Sequence, residues 1–177
     1  MIIHKFFSIT KVIQINLLRT ADHLYRHYTG LPFLSKSMIT PQLYLGGQYY
    51  EQALHNINKI GLTAVVSMRE RPIKKWKGFE NIKTLHLPTK DLNAPSIESL
   101  QKGIEFITNE INAGGKVYVH CHYGEGRGPT MAIAYLMSTG LLLDDAIALV
   151  KTVRPFIRPT RPQIEVLRDL EKVLFKA

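Results

Sequence analysis

Val119-His120-Cys121-His122-Tyr123-Gly124-Glu125-Gly126-Arg127-Gly128-Pro129-Thr130 is the stretch from which the rest of this 177-residue chain can be read. Before it, Lys116–His120 is a β-branched and aromatic run that predicts a buried strand. Glycines at 124, 126 and 128 then allow a tight loop. Pro129 stands where a helix would make its first turn, a position at which the missing N–H costs nothing. Strand, glycine loop and helix N-terminus in that order form a cradle for an anion. Successive backbone N–H groups turn inward, and the helix end adds positive potential.

Two side chains make this cradle chemical rather than merely receptive. Cys121 opens the loop and Arg127 closes it, with five residues between. A field that attracts a phosphate dianion also favours thiolate over thiol, and thiolate is the attacking form. A guanidinium reaching across the loop offers a planar fork for two phosphoryl oxygens, a geometry that lysine lacks.

Outward from the loop, strands alternate with helices. Leu43–Leu45, Thr63–Met68 and Ile82–Leu87 read as strands. Tyr49–Ile60 reads as a helix stopped by Gly61. Ser96 caps a helix whose stripe is Ile97, Leu100, Ile104, Ile107 and Ile111. Helical segments are also predicted at Gly128–Ser138, Leu143–Val153 and Arg161–Phe175. This pattern predicts an α/β fold with a central mixed, largely parallel sheet flanked by helices.

Composition narrows the class. Apolar residues make up 45% and charged residues 21%, which excludes a disordered or collagenous chain. Lys plus Arg is 23 against 14 acids, a net charge of +9 that suits phosphorylated or anionic-lipid partners. One cysteine forbids an intrachain disulfide and fits a reducing compartment, so a cytoplasmic location is expected. The run at Lys74, Lys75, Trp76 and Lys77 is too small a basic-aromatic patch to predict nucleic-acid binding. His120, Cys121 and His122 lie too close along one strand to converge on a metal.

Residues 1–37 stand apart as a basic amphipathic segment before a domain at 38–177. Up to Lys36 there are five Lys or Arg and a single acid, Asp22. Phe6, Ile9, Ile13, Leu17, Leu24 and Tyr28 recur at helical spacing. The ordinary expectation is that this stripe packs on the domain. The alternative is a helix that meets an anionic membrane surface or a partner, with the protein peripheral there. No apolar run approaches the ~20 residues that span a bilayer.

His120-Cys121-x5-Arg127 resembles the signature of the cysteine-based protein tyrosine phosphatase superfamily, and the string HCHYGEGRGPT is most similar to its dual-specificity branch. Pro41-Gln42-Leu43-Tyr44-Leu45-Gly46-Gly47 and Val66-Ser67-Met68-Arg69-Glu70 extend the resemblance over residues 38–177. It implies an enzyme without metal or cofactor that works through a phosphocysteine. Cys121 would be the nucleophile, and the loop His122, Tyr123, Gly124, Glu125, Gly126 and Arg127 would bind phosphate, with His120 in support. Asp91, in Leu87–Pro95, occupies the place of the general acid. Arg158 and Arg161 fall where relatives approach the cleft, and Gln163 resembles a water-positioning glutamine. The implied substrates are phosphorylated proteins or peptides, at tyrosine and at serine or threonine. Alternatives are a lipid phosphatase at a membrane surface and a weakly active phosphate-binding module. One departure matters: Gly128 stands where the family has Ser or Thr. Its missing hydroxyl predicts slow breakdown of the phosphocysteine unless Thr130 or a water compensates.

Overall fold

The computed structural model describes residues 2–72 and 77–175, with the side chains of the first helix described from Ile9 onward. Its centre is a four-stranded sheet of β1 (Leu43–Gly46), β2 (Ala64–Ser67), β3 (Lys83–His86) and β4 (Val117–His120), in the order β1-β4-β2-β3. All three pairings are parallel. The antiparallel component of the expected mixed sheet is a single bridge, Met38 to Tyr44. Parallel neighbours require crossover connections; those before Ala64 and after His86 contain helices, while the described part of the connection from Ser67 to Lys83 contains none. Gly46 and Ser67 both pair with His120, so three strands end level with one another, directly beneath the loop that starts at Cys121.

Side-chain alternation sends the strands' residues to two cores. Leu43, Leu45, Ala64, Val66, Val117 and Val119 face α3 (Ile97–Asn112), α4 (Arg127–Ser138), α5 (Leu143–Val153) and α6 (Arg161–Leu174). Tyr44, Val65 and Tyr118 face the other way, toward Leu31, Tyr49, Ile57 of α2 (Leu54–Ile60) and Phe79. Within α4, every residue from Arg127 to Met137 is buried, which makes it the axis of the larger core. Ser96 caps α3 as its sequence predicts, accepting from the Ser99 N–H at 3.1 Å. The helix expected over Tyr49–Ile60 is instead a 3₁₀ turn at Glu51–Ala53 followed by α2.

The first helix, α1 (Ile2–Thr29), corrects the ordinary expectation for residues 1–37. Its apolar stripe does not pack on the domain: Ile9, Ile13, Leu17, Leu24 and Tyr28 are all between 51% and 79% exposed. The docked face is polar, and its inner residues Asp22 and Arg26 are buried. The reason is local. The sheet face on this side is already covered, whereas loop carbonyls and a buried arginine at the strand ends need polar partners, which charged side chains of α1 help to supply.

This orientation predicts opposite costs for two truncations. Ile133→Ala in α4 removes buried volume and should destabilise by about 2–5 kcal/mol. Leu17→Ala on the exposed stripe should change stability by less than about 0.5 kcal/mol. Urea unfolding of both variants measures the contrast, and a Leu17→Ala cost as large as that of Ile133→Ala would contradict the outward face.

Candidate active site

The loop follows β4 directly. Cys121 is buried, and the Gly124 N–H donates to its Sγ at 3.3 Å. Gly124 has φ +71, and a Cβ there would lie 2.3 Å from the Gly46 carbonyl carbon. Only glycine satisfies both the left-handed backbone and that approach. α4 starts at Arg127, and Gly126 accepts from the Thr130 N–H and from its hydroxyl, each at 2.9 Å. The Thr130 hydroxyl is thus a donor to the loop, not to Cys121. A Cβ on Gly128 would sit 3.3 Å from the Cys121 nitrogen and 3.3 Å from Leu45, tight but close to the sulfur's own residue.

His120 is fully buried, with Nδ1 3.0 Å from the Cys121 carbonyl oxygen. That contact requires the Nδ1–H tautomer. Nε2 is buried without a hydrogen-bond partner. Burial therefore pushes the imidazole pKa down to about 4, against the opposing pull of the Cys121 carbonyl, and the ring is neutral near pH 7. His122 is half-buried and also shifted down, by burial first and then by Arg69, Arg26 and Arg127.

Arg127 is turned onto the acid loop. Its Nη1 donates to the Thr89 carbonyl at 2.9 Å, and its Nη2 meets Asp91 Oδ1 at 2.8 Å. Asp91 itself is 73% exposed in its side chain. Two bonds from the head of α6 hold its loop: the Thr160 hydroxyl to the Leu92 carbonyl and Gln163 Nε2 to the Asn93 carbonyl, both at 2.9 Å. Leu92 between them has φ +64, a strained conformation for leucine that these bonds sustain. Gln163 Oε1 accepts from the Thr160 N–H, so this side chain fastens the acid loop and caps α6.

Glu125 meets two guanidinium groups and an imidazole: Arg19 Nε at 2.9 Å, Arg158 Nη2 at 3.1 Å and His23 Nε2 at 3.0 Å. Partial burial alone would raise its pKa; His23, Arg158 and Arg19 outweigh that and hold it at about 2. Its charge is spent on α1 and the α5–α6 connection. Tyr123, half-exposed, stacks on His23 with ring centroids 5.1 Å apart.

Beneath the loop lies a constellation that no motif announces. Arg154 is fully buried, donating to the carbonyls of Gly124 (2.9 Å), Tyr123 (3.0 Å) and Lys36 (3.1 Å). Its Nη2 also meets Asp22 Oδ2 of α1 at 3.0 Å, with both side chains at zero exposure. Arg26 donates to the carbonyls of His122 and Gln48, each at 3.0 Å. The one signal in sequence was Asp22, the lone acid of a basic segment.

A cleft of about 310 Å³ is lined by Cys121, Arg127, Asp91, Tyr123, Glu125 and Arg158, among others. Of the expected loop residues, His122 and Gly124 do not line it. Arg158 does, whereas Arg161 turns to Glu165 at 2.8 Å. Lys74, Lys75 and Trp76 lie outside the described residues, and Lys77 is exposed.

Residues 43–173 match the model of the dual specificity phosphatase catalytic domain. The chain belongs to this family. It is 35% identical over 123 residues to human dual specificity protein phosphatase 1, covering 68% of this chain and 33% of that protein. Mouse dual specificity protein phosphatase 2 is 33% identical over 135 residues, covering 75% and 42%. This chain therefore spans less than half the length of these curated relatives. Among solved structures, Tk-PTP in its active form superposes with a TM-score of 0.71 at 31% identity, covering 77% of this chain and 95% of that one. PTPMT1 in complex with PI(5)P gives 0.73 at 25% identity, covering 78% and 95%.

The buried pair yields a stability prediction. Asp22→Asn keeps the volume but leaves Arg154 a buried cation without its counter-ion, and should cost about 3–5 kcal/mol. Urea unfolding reads this; a loss below about 1 kcal/mol would mean that the three carbonyls suffice.

Proposed function

We propose that this dual-specificity phosphatase domain hydrolyses phosphomonoesters of tyrosine, serine and threonine in proteins or peptides through a phosphocysteine. What supports this most is the meeting, in one cleft, of Cys121 with a loop N–H on its sulfur and Arg127 paired with Asp91. The thiolate attacks phosphorus in line with the leaving oxygen. The P–S bond forms as the P–O bond breaks, and Asp91 gives its proton to that oxygen. The loop amides and Arg127 hold the equatorial oxygens, whose charge spreads in a loose transition state. Water then attacks phosphorus, Asp91 takes the water's proton, and the P–S electrons return to Cys121.

For Asp91 to act, Arg127 must exchange part of its grip on the acid loop for the phosphoryl group. A phosphorylated lipid is the second reading, favoured by the crystallised complex of the similar PTPMT1 with PI(5)P. The charge of Glu125 is no obstacle to it, because Arg19 and Arg158 already pair with that carboxylate.

Hydrolysis of an activated aryl phosphate should fall at least about 10³-fold in Cys121→Ser, since the attacking sulfur is gone. Asp91→Asn should cost about 10²–10⁴-fold with an alkyl phosphate and far less with the activated ester, which needs little acid. Equal losses on both esters would remove Asp91 from the acid role. An intact, reduced protein that binds vanadate without turnover would instead mark a phosphate-binding module.

Gly128 generates a separate outcome. Rapid quench should show a burst of phosphocysteine in the parent, because no hydroxyl at 128 assists the departing thiolate. Gly128→Ser should shrink that burst and raise the steady-state rate. A parent without a burst would show that breakdown of the intermediate is not slow.

A further inference from the structure

The outward face of α1 is an apolar strip. Ile9, Ile13, Leu17, Leu24 and Tyr28 follow one another along it, over about 29 Å at 1.5 Å per residue. A strip of this length facing water marks an interaction surface. Its charge setting selects the occupant. Asp22, the lone acid among the first 36 residues, is fully buried against Arg154. The described solvent face of α1 therefore carries no carboxylate, while Lys11 and His27 are exposed on the helix and the whole chain is at +9. An apolar strip on a helix whose solvent face bears no anion, in a chain of net charge +9, complements anionic headgroups above an acyl boundary. It opposes a second copy of the same basic helix.

We propose that α1 lies on the surface of an anionic lipid bilayer through Ile9, Ile13, Leu17 and Leu24, with Tyr28 at headgroup level. No helix among the described residues is long and apolar enough to cross a membrane, so the helix lies along the surface. Its inner face grips the phosphate loop through Arg19 and His23 on Glu125 and through Asp22 on Arg154. A bound α1 therefore sets the cleft at a fixed position against the bilayer, whichever phosphoester is the substrate.

Flotation of the intact chain with phosphatidylcholine vesicles, with and without phosphatidylglycerol, tests this independently of catalysis. The chain should float only with the anionic vesicles, and less so at high salt. Ile13→Glu/Leu17→Glu should reduce flotation at least about tenfold. It should keep the parent's unfolding curve and aryl phosphate hydrolysis, and Leu24→Glu alone should act in the same direction. A parent that stays unbound, or a double variant that floats equally well, overturns the proposal. So does a parent that does not float but is a dimer in solution and becomes a monomer in the double variant, because the strip is then covered by a second copy.

Discussion

The Arg154–Asp22 pair is the interaction on which the arrangement of the cleft depends. A phosphate loop turns its N–H groups inward, which forces its carbonyls outward into the protein, where each needs a donor. Arg154 answers for Tyr123 and Gly124, and Arg26 answers for His122. A guanidinium at zero exposure is tolerable only with a carboxylate beside it, and that carboxylate arrives from α1. The loop's receptive inner surface and the docking of a helix more than a hundred residues away in sequence are two sides of one electrostatic requirement.

A similar economy governs the acid loop. Arg127 reaches it through Thr89 and Asp91, while Thr160 and Gln163 hold its far end. The loop is thus suspended between the first residue of α4 and the head of α6, with Leu92 strained in the middle. An incoming phosphoryl group competes for the α4 attachment alone, so the loop can yield at one end while the other stays fixed.

The sheet and the anion loop were legible because their signals are local. Lys116–His120 reads as a strand from its own residues, and the spacing from Cys121 to Arg127 needs no tertiary knowledge. A largely parallel sheet was readable from strands alternating with helices, and the antiparallel part of the expected mixture is the bridge at Met38. The posture of α1 was not legible. Its periodicity gives a stripe but not the side it faces, and hydrophobic burial would have turned the stripe inward. The polar face won because the loop's carbonyls and Arg154 offered it partners that an isoleucine cannot replace. Arg154 and Asp22 lie 132 positions apart and belong to no spacing pattern, so only the folded chain reveals them as a pair.

The place of that carboxylate also separates the family's likeness from the physical unit. The match to the family model begins at Leu43, at the first strand, and α1 lies wholly before it. A chain cut there would keep the nucleophile, the loop, the arginine and the acid. It would also keep a guanidinium sealed beneath the loop with its anion removed, and it would open the loop's underside to water. In this protein the groups that support the phosphate loop reach back past the residues that match the family model.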